Sequence, residues 1–322
     1  MTAEIKSEDF LREKISPHIK RLIEEGNNAI ELQFKSLSKK LKKSSFKFDP
    51  LAEDTLYSPA RGLTHKFSNR LLWKINLNCA SYCQFCTRRR QIGLENKILS
   101  RKDIKKGINY LYQHKEIEDV IISGGDPFCT PKATEFLIKE IDKINSVKVI
   151  RIGTRLPIHS PELLARKEIL SLMKIISKIS TKKPIFVLLH VEHPSELTHM
   201  AKNFIQSIKK TGAIVLSQTV FLKKINDNVD VLASLFTGLY HLGVIPYYIY
   251  RCDYVRGLEK FICPIRKEML IMTKLRKTLS GIAIPTYVID VEGRGKIPVP
   301  LNFWRGTNLS ECNDFDGKKI QI

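Results

Sequence analysis

Leu71-Leu72-Trp73-Lys74-Ile75-Asn76-Leu77 runs directly into Asn78-Cys79-Ala80-Ser81-Tyr82-Cys83-Gln84-Phe85-Cys86-Thr87-Arg88. The first stretch is apolar enough to read as a β-strand, and the second reads as the loop that follows it. Its cysteines stand at i, i+4 and i+7, a spacing that lets a loop wrap a cubane iron–sulfur cluster with each thiolate on a different iron. A structural zinc site wants four ligands, usually as two CxxC pairs, and the chain offers no second pair. Three thiolates leave one iron open, as chelation of a cofactor or substrate requires.

Outward from this stretch the chain alternates short β-like runs with longer amphipathic ones. After Leu71–Leu77 the strand candidates are 119–123, 148–153, 185–190, 213–218, 245–250 and 285–290. Between them, helical periodicity covers 103–114, 133–143, 161–177, 195–210, 229–242 and 266–279. Such alternation predicts parallel strands with covering helices, an α/β fold of the TIM-like barrel type, partial or complete. Residues 1–65 lack strand signals and read as two helices, 9–26 and 28–43, that cap a barrel spanning 66–285. Residues 286–322 form a C-terminal segment. Polar groups fall at strand ends: the cysteines, Gly124-Gly125-Asp126, Arg155, His190, Gln218, Asp253 and Lys296. In a parallel barrel those ends share one face, where an active site belongs.

The 322 residues suffice for a large core, and 43% of them are hydrophobic. Seven cysteines without a secretory leader favour metal or redox chemistry over a disulfide scaffold. No apolar run approaches the length of a membrane span, so a cytoplasmic protein is expected. The net charge of +21 invites a nucleic-acid reading, with Lys39-Lys40-Leu41-Lys42-Lys43 as its best patch. Most lysines, however, are interleaved with apolar core positions along helices, the pattern of solvated faces. Nucleic acid is therefore not the expected partner.

The cysteine loop resembles the signature of the radical S-adenosylmethionine (SAM) superfamily, and Ser123-Gly124-Gly125-Asp126-Pro127 resembles its glycine motif. That resemblance implies a [4Fe-4S] cluster on Cys79, Cys83 and Cys86. It also implies that Gly124, Gly125 and Asp126 help bind SAM, which is cleaved reductively to a 5′-deoxyadenosyl radical. An electron donor of the reductase, flavodoxin or ferredoxin type follows from the same likeness. Four further stretches are similar to lysine 2,3-aminomutase and its relatives: Cys86-Thr87-Arg88-Arg89-Arg90, Arg151–Pro157, Tyr247–Asp253 and Asp290–Val299.

The aminomutase likeness implies pyridoxal 5′-phosphate (PLP) held as a Schiff base by Lys296, in a glycine-containing loop, with Arg70 and Gln218 near its phosphate. It implies that Arg88 takes the substrate carboxylate and that Asp253 and Asp290 hold a distal ammonium. The substrate would then be L-lysine and the product β-lysine; relatives acting on glutamate do not keep both acids. Lys66 and Phe67 depart from the family's arginine and tyrosine, and the tail after Lys296 is abbreviated beside that of longer members, which use it for assembly into homo-oligomers. Two other readings stay open: an aminomutase making (R)-β-lysine for elongation factor P, and a basic RNA-modifying radical enzyme.

Overall fold

The strand entering the cysteine loop, β2 (Arg70–Asn76), belongs to a nine-stranded sheet whose spatial order follows the sequence. The computed structural model describes residues 11–36, 44–93, 98–301, 311–313 and 318–321. From β2 the sheet continues through β3 (Asp119–Gly124), β4 (Val149–Thr154), β5 (Ile185–His190), β6 (Ile214–Val220), β7 (Ile245–Tyr250) and β8 (Thr286–Val291), all parallel. An antiparallel strand closes each edge: β1 (Leu63–Phe67) on β2, and β9 (Gly295–Pro298) on β8. Sequential order with a covering helix per crossover curls the sheet into a half-barrel.

Alternation along the strands separates two faces. Leu71, Trp73 and Ile75 of β2, Val120 and Ile122 of β3, and Ile150 and Ile152 of β4 are fully buried in the main core. They pack toward α3 (Arg101–Gln113), α4 (Pro131–Asp142) and α6 (Lys167–Ser180). The later strands are covered by α7 (His199–Lys209), α8 (Val229–His241) and α9 (Ile265–Thr278). The other parity places Arg70, Asp119, Arg151, Gln218, Tyr250 and Asp290 on the concave face, half-buried. A parallel barrel usually fills this face with branched apolar side chains. Here charged and polar side chains share this lumen with Leu72, Ile121, Phe186 and Leu216.

Among the described residues the sheet's two edges do not pair, but side chains bridge them. Lys66 Nζ of β1 lies 3.5 Å from the Val291 carbonyl and 3.8 Å from Asp290 Oδ1 of β8. The Phe67 ring packs so closely on Gly295 that a Cβ there would sit 3.2 Å from it.

Two short helices, α1 (Pro17–Glu24) and α2 (Asn28–Phe34), precede the sheet. Ser16 caps α1 by accepting from Ile19 N, and Pro17 supplies a preset φ at the first helical position. The segment entering α1, and α2 itself, brace the cysteine loop: Tyr82 N donates to Lys14 O at 2.8 Å and Gln84 N to Gln33 O at 2.7 Å.

Several sequence expectations are corrected. The two leading helices are shorter than 9–26 and 28–43, and residues 9, 10 and 37–43, including the Lys39–Lys43 patch, lie outside the described residues. Residues 63–65, within the stretch expected to lack strand signals, open β1, and Lys296 lies on β9 rather than in a loop. Residues 161–177 divide into a 3₁₀ turn, Pro161–Ala165, and α6. A short α5 (Leu156–His159) follows β4, and β10 (Glu311–Asn313) pairs antiparallel with β11 (Lys319–Gln321). Among the described residues no helix is long and apolar enough to cross a membrane.

Candidate active site

Cys79, Cys83 and Cys86 are free thiols on the turn-rich loop after β2. Burial raises the pKa of all three, Cys83 to about 12, so each is a neutral thiol until a cation displaces its proton. Among the described residues, no three His, Cys, Asp or Glu side chains converge on a single ion. A cluster does not need them to, because each thiolate takes its own iron. The donor set therefore fits an iron–sulfur cluster. Arg155, buried just beyond β4, donates through Nη1 to Cys83 Sγ at 2.9 Å. Its Nη2 is held by Glu196 at 2.8 Å and by Gln33 of α2 at 3.1 Å.

The Gly124-Gly125-Asp126 turn locks onto the same loop. Gly125 N donates to Asn76 O at 2.6 Å and Asp126 N to Asn78 O at 2.8 Å. A Cβ on Gly125 would fall 2.4 Å from Asn78 N and O, and one on Gly124, at φ +109°, 2.3 Å from Asn76 O. The close approach these glycines permit is thus to the cysteine loop's own backbone. The buried Asp126 carboxylate accepts from Phe128 N at 2.9 Å, Arg155 N at 2.7 Å and Thr154 Oγ1 at 2.9 Å. It ties β3 to the end of β4.

A second centre lies where β7 and β8 end and β9 begins. Asp290 and Lys296 are register partners across the β8–β9 hairpin, and Lys296 Nζ stands 3.0 Å from Asp290 Oδ2. Lys296 also sits 5.7 Å from the centroid of the Tyr250 ring, whose hydroxyl accepts from Gln218 Nε2 at 3.0 Å. Asp253 follows β7. Burial, and then the Asp290 carboxylate, push its carboxyl up to about 7, while Lys296 and Arg88 pull it the other way. That influence places Arg88, two residues beyond Cys86, within electrostatic reach of Asp253.

Arg70 stands apart from this group at the start of β2. It pairs with Asp119 at 3.3 Å, and its guanidinium lies 5.4 Å from the Phe67 ring that covers Gly295. Contacts thus bring together Lys296, Asp290, Tyr250 and Gln218, Asp253 and Arg88 join them through electrostatic influence, and Arg70 lies beside Asp119 and Phe67.

Sequence reading missed the acidic strap that holds the arginines. Glu53 accepts both Arg88 Nε at 2.9 Å and Arg88 Nη2 at 3.0 Å. Asp54 pairs with Lys74 and with Arg90, each at 2.6 Å, and Asp49 with Arg90 at 3.0 Å. The available signal was electrostatic: three consecutive arginines beside three cysteines need nearby counter-charge.

The radical SAM superfamily model matches residues 73–228. An L-lysine 2,3-aminomutase from Methanococcus maripaludis is 34% identical over 304 residues, covering 92% of this chain and 68% of that protein. One from Acetoanaerobium sticklandii is 35% identical over 316 residues, covering 96% and 74%. A glutamate 2,3-aminomutase from Clostridioides difficile matches at 29% over 278 residues, covering 85% and 64%. Membership of the superfamily implies SAM and a [4Fe-4S] cluster, for which the cysteine loop has the donors. A half-barrel with that loop at its mouth, and relatives alike over nearly the whole chain, lead to one conclusion: this chain is an isomerase belonging to the lysine 2,3-aminomutase family of radical SAM enzymes.

Proposed function

We propose that the chain converts L-lysine to β-lysine by a 2,3-amino shift, with PLP carried on Lys296. The observation that carries this reading is the Lys296–Asp290 pair at 3.0 Å beside the half-buried Asp253. Bound PLP would supply the carbon–nitrogen double bond across which a neighbouring carbon radical can move nitrogen.

The chain's own groups supply the rest. Lys296 offers the amine and Tyr250 an aromatic face beside it. Gln218 and Arg70 are the donors proposed for the phosphate, with Lys66 as a further cation at that corner. The Arg88 guanidinium takes the substrate carboxylate. Asp253 and Asp290 take the ε-ammonium, and two acids there disfavour a substrate with a second carboxylate, such as glutamate. Cys79, Cys83 and Cys86 hold the cluster, and Gly124, Gly125 and Asp126 shape the SAM site beside it. A low-potential carrier of the flavodoxin or ferredoxin type delivers the electron.

The test is anaerobic reconstitution with iron, sulfide and PLP, then incubation with SAM, dithionite and either L-lysine or L-glutamate. β-Lysine from the wild type, lost together with the PLP absorbance band in Lys296→Ala, is the expected result. The product enantiomer separates a general aminomutase from one serving elongation factor P. SAM cleavage without any change in lysine would overturn the substrate assignment.

A further inference from the structure

Glu53 lies in a strap between the leading helices and the sheet. Asp49 stiffens this segment by accepting from Glu53 N at 3.2 Å and Asp54 N at 3.0 Å. One end of the strap rests on the loop that carries Asp253: Lys47 bridges Val255, and Arg256 N donates to Lys47 O at 3.0 Å. The other end grips the cysteine loop through Glu53, Asp54 and Asp49. It therefore spans the lumen's mouth, from the arginine proposed to bind the carboxylate to the aspartate proposed to bind the ammonium. Glu53 is also among the charges that raise the Asp253 pKa, which puts it inside the same electrostatic cluster.

The contact with Arg88 has a definite geometry. Glu53 takes the side edge of the guanidinium, Nε and Nη2, with both oxygens. Among the described residues no group accepts from Nη1, and the Arg88 side chain retains 20% of its exposure. A guanidinium has two edges able to bind a carboxylate bidentately, and the end edge, Nη1 with the second Nη2 hydrogen, is the one left. An unpaired arginine would sample many rotamers and lose that freedom on binding substrate. One clamped at its side edge has lost it already.

We propose that Glu53 is a positioning residue for substrate: it fixes Arg88 so that the end edge of the guanidinium receives the α-carboxylate of the amino-acid substrate. This rests on the reading that Arg88 binds that carboxylate. The pairing also implies that Arg88 serves two carboxylates at once, one resident and one incoming, without displacement of Glu53.

The test uses full-length reconstituted enzyme. Wild type, Glu53→Gln, Glu53→Asp, Arg88→Lys and the Glu53→Gln/Arg88→Lys double variant are compared on L-lysine. Glu53→Gln should raise KM about ten-fold, the scale of one charge-assisted hydrogen bond, with little change in kcat. The penalty should largely vanish in the Arg88→Lys background, where no fork remains to be oriented. Lysinamide, which lacks the carboxylate, should be turned over equally by wild type and Glu53→Gln.

Wild type inactive on lysine would sink the proposed function itself. Active wild type with an unmoved KM in Glu53→Gln would overturn this proposal alone, as would a lowered KM, which would make Glu53 a competitor for the fork. If Glu53→Gln fails to fold, Glu53→Asp carries the test. Its shorter carboxylate should give an intermediate KM, and a wild-type KM would count against the proposal.

Discussion

At the scale of single residues, Asp253 is the most informative group. A carboxyl pushed up to about 7 by burial and by Asp290 is half-protonated near neutrality, yet only its charged form pairs well with an ammonium. Turnover of lysine at low concentration should therefore rise as pH passes through about 7, and Asp253→Asn should flatten that rise; a kcat/KM–pH profile checks it. The sign for stability is opposite. The folded chain keeps a proton that the unfolded chain releases from about pH 4 upward, so this group's contribution to stability falls between about 4 and 7 and is level above. Asp253→Asn, which mimics the protonated form, should raise the melting temperature at pH 8 relative to wild type and leave it near unchanged below about pH 4. Gly125 makes the matching steric case. With a Cβ 2.4 Å from Asn78 N and O, Gly125→Ala must shift the loop that carries Cys79. Iron content per chain after reconstitution should fall sharply, even where far-ultraviolet circular dichroism is preserved.

At the scale of elements, the site depends on joints between strand ends. Asp126 is such a joint, binding the β3 turn to Thr154 and Arg155 beyond β4. Asp126→Ala leaves the donors Phe128 N, Arg155 N and Thr154 Oγ1 buried without their acceptor. Unsatisfied buried donors cost about 1–3 kcal/mol each, so a loss of at least about 2 kcal/mol is expected by denaturant unfolding of the anaerobic protein. The strands themselves were legible. Apolar runs at 119–123, 148–153 and 185–190 match β3, β4 and β5 within one residue at either end. Two edge strands were not legible. Leu63-Thr64-His65-Lys66-Phe67 has no apolar run, and Gly295-Lys296-Ile297-Pro298 contains a glycine and a proline that usually argue against a strand. Both are strands because a neighbour offers its free edge, which is a tertiary cause.

At the scale of the whole molecule, a chain with net charge +21 builds its interior from matched charges. Arg155 meets Glu196, Arg251 meets Glu268, and Lys74 meets Asp54, each pair bringing distant elements together. Glu268 of α9 also accepts from Tyr287 of β8, so one carboxylate joins α9 to β8 and to the end of β7. Glu268→Leu would strand Arg251, 7% exposed, as an uncompensated buried charge. Breaking such a pair from one side costs about 3–5 kcal/mol, to be read as a lower denaturant midpoint with an unchanged m-value. Among the described residues, part of the excess positive charge lies on exposed helix faces, such as Lys102, Lys105 and Lys106 of α3.

By itself the sequence determined what is local or periodic. It placed three thiols in one loop after a strand, a parallel α/β order in which every crossover carries its own helix, and reactive groups at the C-terminal ends of strands. Spacing and hydrophobic period decide these within a few residues of each other. Only the tertiary structure decided which charges meet. Glu53 and Arg88 lie 35 positions apart, Lys66 and Val291 lie 225 apart, and Lys296 faces Asp290 only because β9 turns back on β8. An ion pair carries no periodicity for the sequence to display; it exists where the curl of the sheet brings two edges and a strap to the same mouth.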